Sequence, residues 1–93
     1  EIKYEWARIP HFYRAFYVYK YATGIISAIA IAERILNGGE KEVKEYFNFL
    51  SSGCSNSPTE LLKLTGVDLI DGNAMELAFK SFENALTEFE KLM

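Results

Sequence analysis

Residues 9–39 read IPHFYRAFYVYKYATGIISAIAIAERILNGG, and the way this stretch folds decides the architecture. Pro10 favours an extended residue at Ile9 and a helix beginning just after it. From about Phe12 the stretch reads as one helix running to Leu36, where Asn37, Gly38 and Gly39 supply a left-handed stop. On such a helix Phe12, Phe16, Tyr19, Ile26 and Ala30 line one side. Tyr13, Tyr17, Ala28, Ala32 and Ile35 line another, and Val18, Ile25 and Ile29 fill the gap between them. A surface helix carries one apolar stripe and one polar face. This one is apolar all round and needs cover on every side.

The flanking sequence is helical as well. EKEVKEYFNFL (40–50) places Val43, Tyr46, Phe47 and Leu50 at i, i+3, i+4, i+7, the period of an amphipathic helix. SSGCSNS (51–57) is a polar loop. Ser57, Pro58 and Glu60 then read as a capping box with proline at the first helical position, opening a short helix that stops at Gly66. Asn73 with Glu76 makes a second capping pair before a last helix whose stripe includes Leu77, Phe82, Leu86 and Phe89. No strand pattern competes, so the fold class is all-α, with residues 1–93 as a single helical segment. Two amphipathic helices and one short one offer too little surface to enclose the first. The chain, which opens on Glu1 without an initiator Met, therefore reads as a segment of something longer.

Composition narrows the function classes. The chain is 49% hydrophobic and 25% charged with a net charge of −3, and no basic patch is visible, so nucleic-acid binding has no support. The single cysteine, Cys54, excludes an internal disulfide and fits a reducing compartment. Between Arg14 and Glu33 only Lys20 is charged, a span at the lower length limit for a transmembrane helix. Lys20 together with Tyr17, Tyr19 and Tyr21 argues against that reading, since tyrosine prefers the interface to the hydrocarbon centre.

The segment at 9–24 also holds the chain's single histidine and four of its six tyrosines. A histidine near a helix start reads first as a structural hydrogen-bonding residue. A metal site fails, because zinc takes three or four ligands and the chain offers one His, one distant Cys and no HExxH. Asp68 and Asp71 read as loop and cap residues. His11 at a helix N-terminus would be kept neutral by the dipole, and tyrosine is a neutral donor at pH 7. Such donors can stabilise charge developing on a carbonyl oxygen. The competing reading is that these rings pack and satisfy their hydroxyls locally.

Three segments in the same order carry a resemblance: WARIPHFYRAFYVYKYATG (6–24), ILNGG (35–39) and YFNFLSSGCSNSPTELLKLTGVD (46–68). Together they resemble the C-terminal end of the oligoendopeptidase F family, bacterial zinc metallopeptidases of the thimet-oligopeptidase class. The resemblance covers nearly the whole chain from about Tyr4. It implies an all-helical peptidase enclosing a deep channel, with zinc held by an HExxH helix and a later Glu that this chain lacks. Residues 1–93 would be the C-terminal part of the catalytic domain, supplying the wall opposite the metal. Carried over by position, His11 and Tyr19 stabilise the transition state at the substrate carbonyl, while Tyr17 and Tyr13 bind substrate. Helix geometry offers a rival set, because Tyr13 and Tyr17 at i and i+4 share a face from which Tyr19 is turned away. Cys54 stands where the family pattern suggests Gly or another small residue. The partners implied are short peptide substrates and the remainder of the peptidase chain, with no nucleic acid and no membrane, in the cytoplasm. The 93 residues alone are expected to be inactive and to bind no zinc. A second reading, motivated by the same unsheltered apolar surface, is a standalone helical module that self-associates or docks on a partner.

Overall fold

The computed structural model describes residues 1–93. Two 3-10 segments, Ile2–Arg8 and Pro10–Tyr13, lead into four α-helices: α1 (Tyr19–Asn37), α2 (Glu40–Ser51), α3 (Pro58–Lys63) and α4 (Asn73–Leu92). No strand is present, in agreement with the all-α reading. No helix is long and apolar enough to cross a membrane.

The first helix starts later than its apolar pattern suggests. Residues 12–18 are not α-helical: Arg14 is extended (φ −100°, ψ 115°) and Phe16 takes a left-handed φ of 61°. Aromatic and β-branched residues form helix less readily than Ala or Leu, and here they have alternatives. The Arg14 guanidinium lies 4.5 Å from the centroid of the Tyr17 ring, and the Tyr13 hydroxyl donates to the Ala7 carbonyl. These contacts over three to six residues replace the helical turn. The faces assigned to Phe12, Tyr13, Phe16 and Tyr17 on a continuous helix therefore do not exist.

The end of α1 is also not the left-handed stop expected from its glycines, since Gly38 and Gly39 have φ of −101° and −150°. Gly38 is needed for space. A Cβ there would sit 2.4 Å from Cδ of Glu42 and 2.7 Å from the Arg34 carbonyl oxygen. The close approach lets the Gly38 N–H reach that carbonyl at 2.8 Å, and lets the Glu42 carboxylate accept from the Gly39 N–H at 2.7 Å. This contact, followed by Glu42's own N–H and the nearby Lys41 and Arg34 charges, holds the Glu42 carboxyl below its ordinary value of 4.5. A depressed carboxyl stabilises the fold above the unfolded-state value and loses that contribution as pH falls through the folded-state value. The protection of amides in the first turn of α2 in the full-length protein, relative to unstructured exchange at the same pH, should therefore fall on acidification below about pH 4.5. Glu42→Gln should abolish that pH dependence.

The other caps differ in detail. Ser57 is the N-cap of α3 and Pro58 its first residue, but Glu60 does not reach back; it pairs with Lys63 at 3.3 Å. At α4 the N-cap is Gly72, and Asp71 rather than Glu76 satisfies the first turn, accepting from the Asn73 N–H at 2.9 Å. Asp68 accepts from the Ile70 N–H at 2.8 Å, which makes both aspartates loop and cap residues.

Packing is thin. Only seven of the 93 residues are buried, and the centre is a small cluster of Ala30, Val67 and Ala74 with Ile26, Ile31 and Leu69 against it. α4 meets α1 through Ala74 and Ala78, and Ser81 donates to Glu33 at 2.8 Å. Arg34 ties α1 to its other neighbours, donating to the Thr65 carbonyl at 2.9 Å and to Glu45 on α2 at 3.4 Å. Most of the apolar surface of α1 and α4 stays open: Ile25 is 61% exposed, Leu36 80% and Phe82 68%. The radius of gyration is 16.5 Å, where a compact domain of this length has about 12 Å. The accessible surface is 7579 Å², where a folded monomer of this mass has about 5,500 Å². Large apolar side chains of α1 and α4, Ile25, Leu36 and Phe82 among them, contribute to this open surface.

Candidate functional site

The break at residues 14–18 folds the 3-10 segment carrying His11 back against the start of α1. The His11 and Tyr17 rings stack with centroids 5.6 Å apart and planes inclined by 23°. Tyr21, one turn further along, meets the Tyr17 ring edge-on at 6.0 Å, and its hydroxyl donates to the Tyr17 hydroxyl oxygen at 3.4 Å. Two cations approach the same ring, Arg14 at 4.5 Å and the Lys20 ammonium at 5.2 Å. Cation–ring attraction of this kind operates within about 6 Å of the centroid. Tyr17 is thus held on several sides and is half-buried, while His11, Tyr19 and Tyr21 are exposed.

The Tyr21 phenol is pushed above its ordinary value of 10.0, first by the hydrogen bond to Tyr17 and then by repulsion between the two phenolates. Tyr21 therefore stays a protonated donor at neutral pH. His11 lies inside a four-residue 3-10 turn and not at the start of an α-helix, so the dipole argument made for it has no helix to act through.

Tyr19 and Tyr13 are placed elsewhere. Tyr13 spends its hydroxyl on the Ala7 carbonyl. Tyr19 is 58% exposed and its hydroxyl has no partner within the chain. It stands at a groove of about 770 Å³ between α1, α2 and α3, lined also by Leu50, Leu61, Leu62 and Leu69. Lys20 belongs to both places: it lines the groove and reaches the Tyr17 ring. One phenol, Tyr19, and one cation, Lys20, thus border an apolar depression, a combination suited to a peptide carbonyl beside an apolar side chain, while the His11–Tyr17 stack adjoins it through Lys20.

Sequence reasoning did not single out Tyr21 or Arg14. The i, i+4 relation of Tyr17 and Tyr21 was available as a signal, whereas the fold-back that brings Arg14 over Tyr17 was not. No three His, Cys, Asp or Glu side chains converge on a point able to hold a metal ion. Zinc takes three or four such ligands, so these residues do not form a zinc site. Cys54 is exposed, in the turn after α2.

Comparison with known proteins adds an independent line. The sequence profile described as Peptidase family M3 matches residues 1–81. Over all 93 residues the chain is 45% identical to "Oligoendopeptidase F, plasmid" of Lactococcus lactis subsp. cremoris, covering 16% of that protein. It is 46% identical over 93 residues to "Oligopeptidase PepF" of Bacillus subtilis (strain 168), covering 14% of it. To "Group B oligopeptidase PepB" of Streptococcus agalactiae the identity is 45% over 92 residues, 99% of this chain and 15% of that one. The chain thus spans about one sixth of the length of these relatives. No solved structure gives a significant match.

Proposed function

Because the chain belongs to peptidase family M3, we propose that it forms the C-terminal part of the catalytic domain of a zinc-dependent oligoendopeptidase that hydrolyses short peptides in the cytoplasm. The observation that carries this reading is the joint presence of the His11–Tyr17 stack and the free Tyr19 hydroxyl beside an apolar groove, in a chain alike over its full length to named oligopeptidases. In this reading the metal ligands lie outside the 93 residues. The surface left open on α1 and α4 is where the remainder of the peptidase chain packs.

The roles follow from what each side chain has free. Tyr19, with an unengaged hydroxyl, donates to the carbonyl oxygen that gains negative charge as the scissile carbon becomes tetrahedral. His11 and Tyr17 act together on the substrate carbonyl, the imidazole ring fixed by its stack on the phenol. Tyr13 contributes least, because its proton is already held by the Ala7 carbonyl. Lys20 and the leucines of the groove receive the neighbouring part of the peptide.

The test is cleavage of a set of short peptides by the full-length protein, with and without a zinc chelator. Cleavage that stops on chelation and returns with zinc is the expected result, while the 93-residue chain alone cleaves nothing and retains no zinc after dialysis. Absence of peptide cleavage by the zinc-loaded full-length protein overturns the reading.

A further inference from the structure

We propose that Tyr21 is a positioning residue for Tyr17, fixing the direction of its hydroxyl so that the Tyr17 proton points toward the substrate. This inference rests on the peptidase reading above and deepens it. A phenol oxygen that accepts one hydrogen bond still carries its own O–H, and the accepted bond restricts where that O–H can point. Tyr21 donates to the Tyr17 oxygen at 3.4 Å, so the Tyr17 proton is directed away from Tyr21.

The rest of the environment makes this restriction useful. The Tyr17 ring cannot swing freely, because His11 stacks on it at 5.6 Å, Tyr21 abuts it at 6.0 Å and Arg14 lies 4.5 Å from its centroid. With ring and hydroxyl both held, Tyr17 presents one donor in one direction. Linked hydrogen bonds also polarise one another, so a phenol that accepts becomes a better donor. Tyr21 is suited to the supporting role by its place on α1, where its N–H bonds to the Val18 carbonyl at 3.1 Å. Tyr17 lies in the break before the helix, where its own N–H bonds to the Arg14 carbonyl at 3.2 Å. Tyr21 couples the Tyr17 hydroxyl to the regular helix that begins at Tyr19.

Steady-state kinetics on the full-length enzyme decides the matter. Tyr21→Phe keeps the ring that abuts Tyr17 and removes only the hydroxyl. It should raise KM for a short peptide about fivefold, the worth of one ordinary hydrogen bond, with kcat nearly unchanged. In a Tyr17→Phe background the same change should add nothing, since the oxygen it serves is gone. An unchanged KM in Tyr21→Phe, or an equal rise in both backgrounds, overturns the inference while wild-type cleavage leaves the peptidase reading standing. No cleavage by wild type overturns that reading and this inference with it.

Discussion

Tyr19→Phe in the full-length enzyme should lower kcat about a hundredfold, the scale for losing one donor to a developing oxyanion, while KM stays within about threefold. The asymmetry follows from the position of the hydroxyl. It has no partner in the chain and stands exposed at the groove, so its removal costs no internal contact. A donor first engaged when charge appears on the substrate oxygen affects the chemical step rather than ground-state binding. Tyr13→Phe is the internal control. Its hydroxyl already serves the Ala7 carbonyl, so the change should leave kcat within about threefold. A large loss for Tyr13→Phe with none for Tyr19→Phe would reverse the assignment of the two tyrosines. Circular dichroism of both variants separates a local kinetic effect from a loss of fold.

The second large effect concerns the framework that carries the groove. Gly66 adopts φ +79°, and a Cβ built there would lie 2.3 Å from the Arg34 guanidinium nitrogen and 2.5 Å from its central carbon. Gly66→Ala must therefore accept a left-handed backbone and displace Arg34, whose donation to the Thr65 carbonyl joins α1 to the turn after α3. The backbone alone costs about 1–2 kcal/mol, and leaving the Thr65 carbonyl unbonded adds a similar amount. Thr65 is 4% exposed, so water cannot readily replace the lost donor. A total of about 2–4 kcal/mol raises the locally open population at least about thirtyfold. Hydrogen exchange of amides 59–66 in the full-length protein reads this directly, because opening is measured segment by segment. Exchange unchanged from wild type would mean that Arg34 does not hold this turn.

Both effects return to the same property of the chain. Its helices meet through small residues, Ala30, Ala74 and Ala78, and through single polar ties such as Arg34 to Thr65 and Ser81 to Glu33. There is no deep core to absorb a lost contact. The chain is expanded, with a radius of gyration of 16.5 Å, α1 open on several sides and the phenols of Tyr13, Tyr19 and Tyr21 exposed.

How much of this was legible in advance depends on the range of the interactions involved. The amphipathic period of EKEVKEYFNFL gave α2 closely and Pro58 marked the start of α3, while the last helix opened at Asn73 with Gly72 rather than Asn73 as its cap. Those features depend on residues within one turn of each other, and one sequence contains them completely. The family likeness was equally local, carried by short ordered segments. By contrast, the apolar run from Phe12 looked helical throughout because periodicity records where a helix would bury its residues. It does not record whether stacking offers something better. At residues 12–18 it did, through His11 on Tyr17 and Arg14 over the same ring. Gly38 likewise looked like a left-handed stop and proved to be a spacer for Glu42. The sequence by itself determined an all-α chain with helices too apolar to stand alone. Only the tertiary structure decided which tyrosine joins His11, because a choice between a helical turn and an aromatic stack rests on small energy differences among groups that the chain must first bring together.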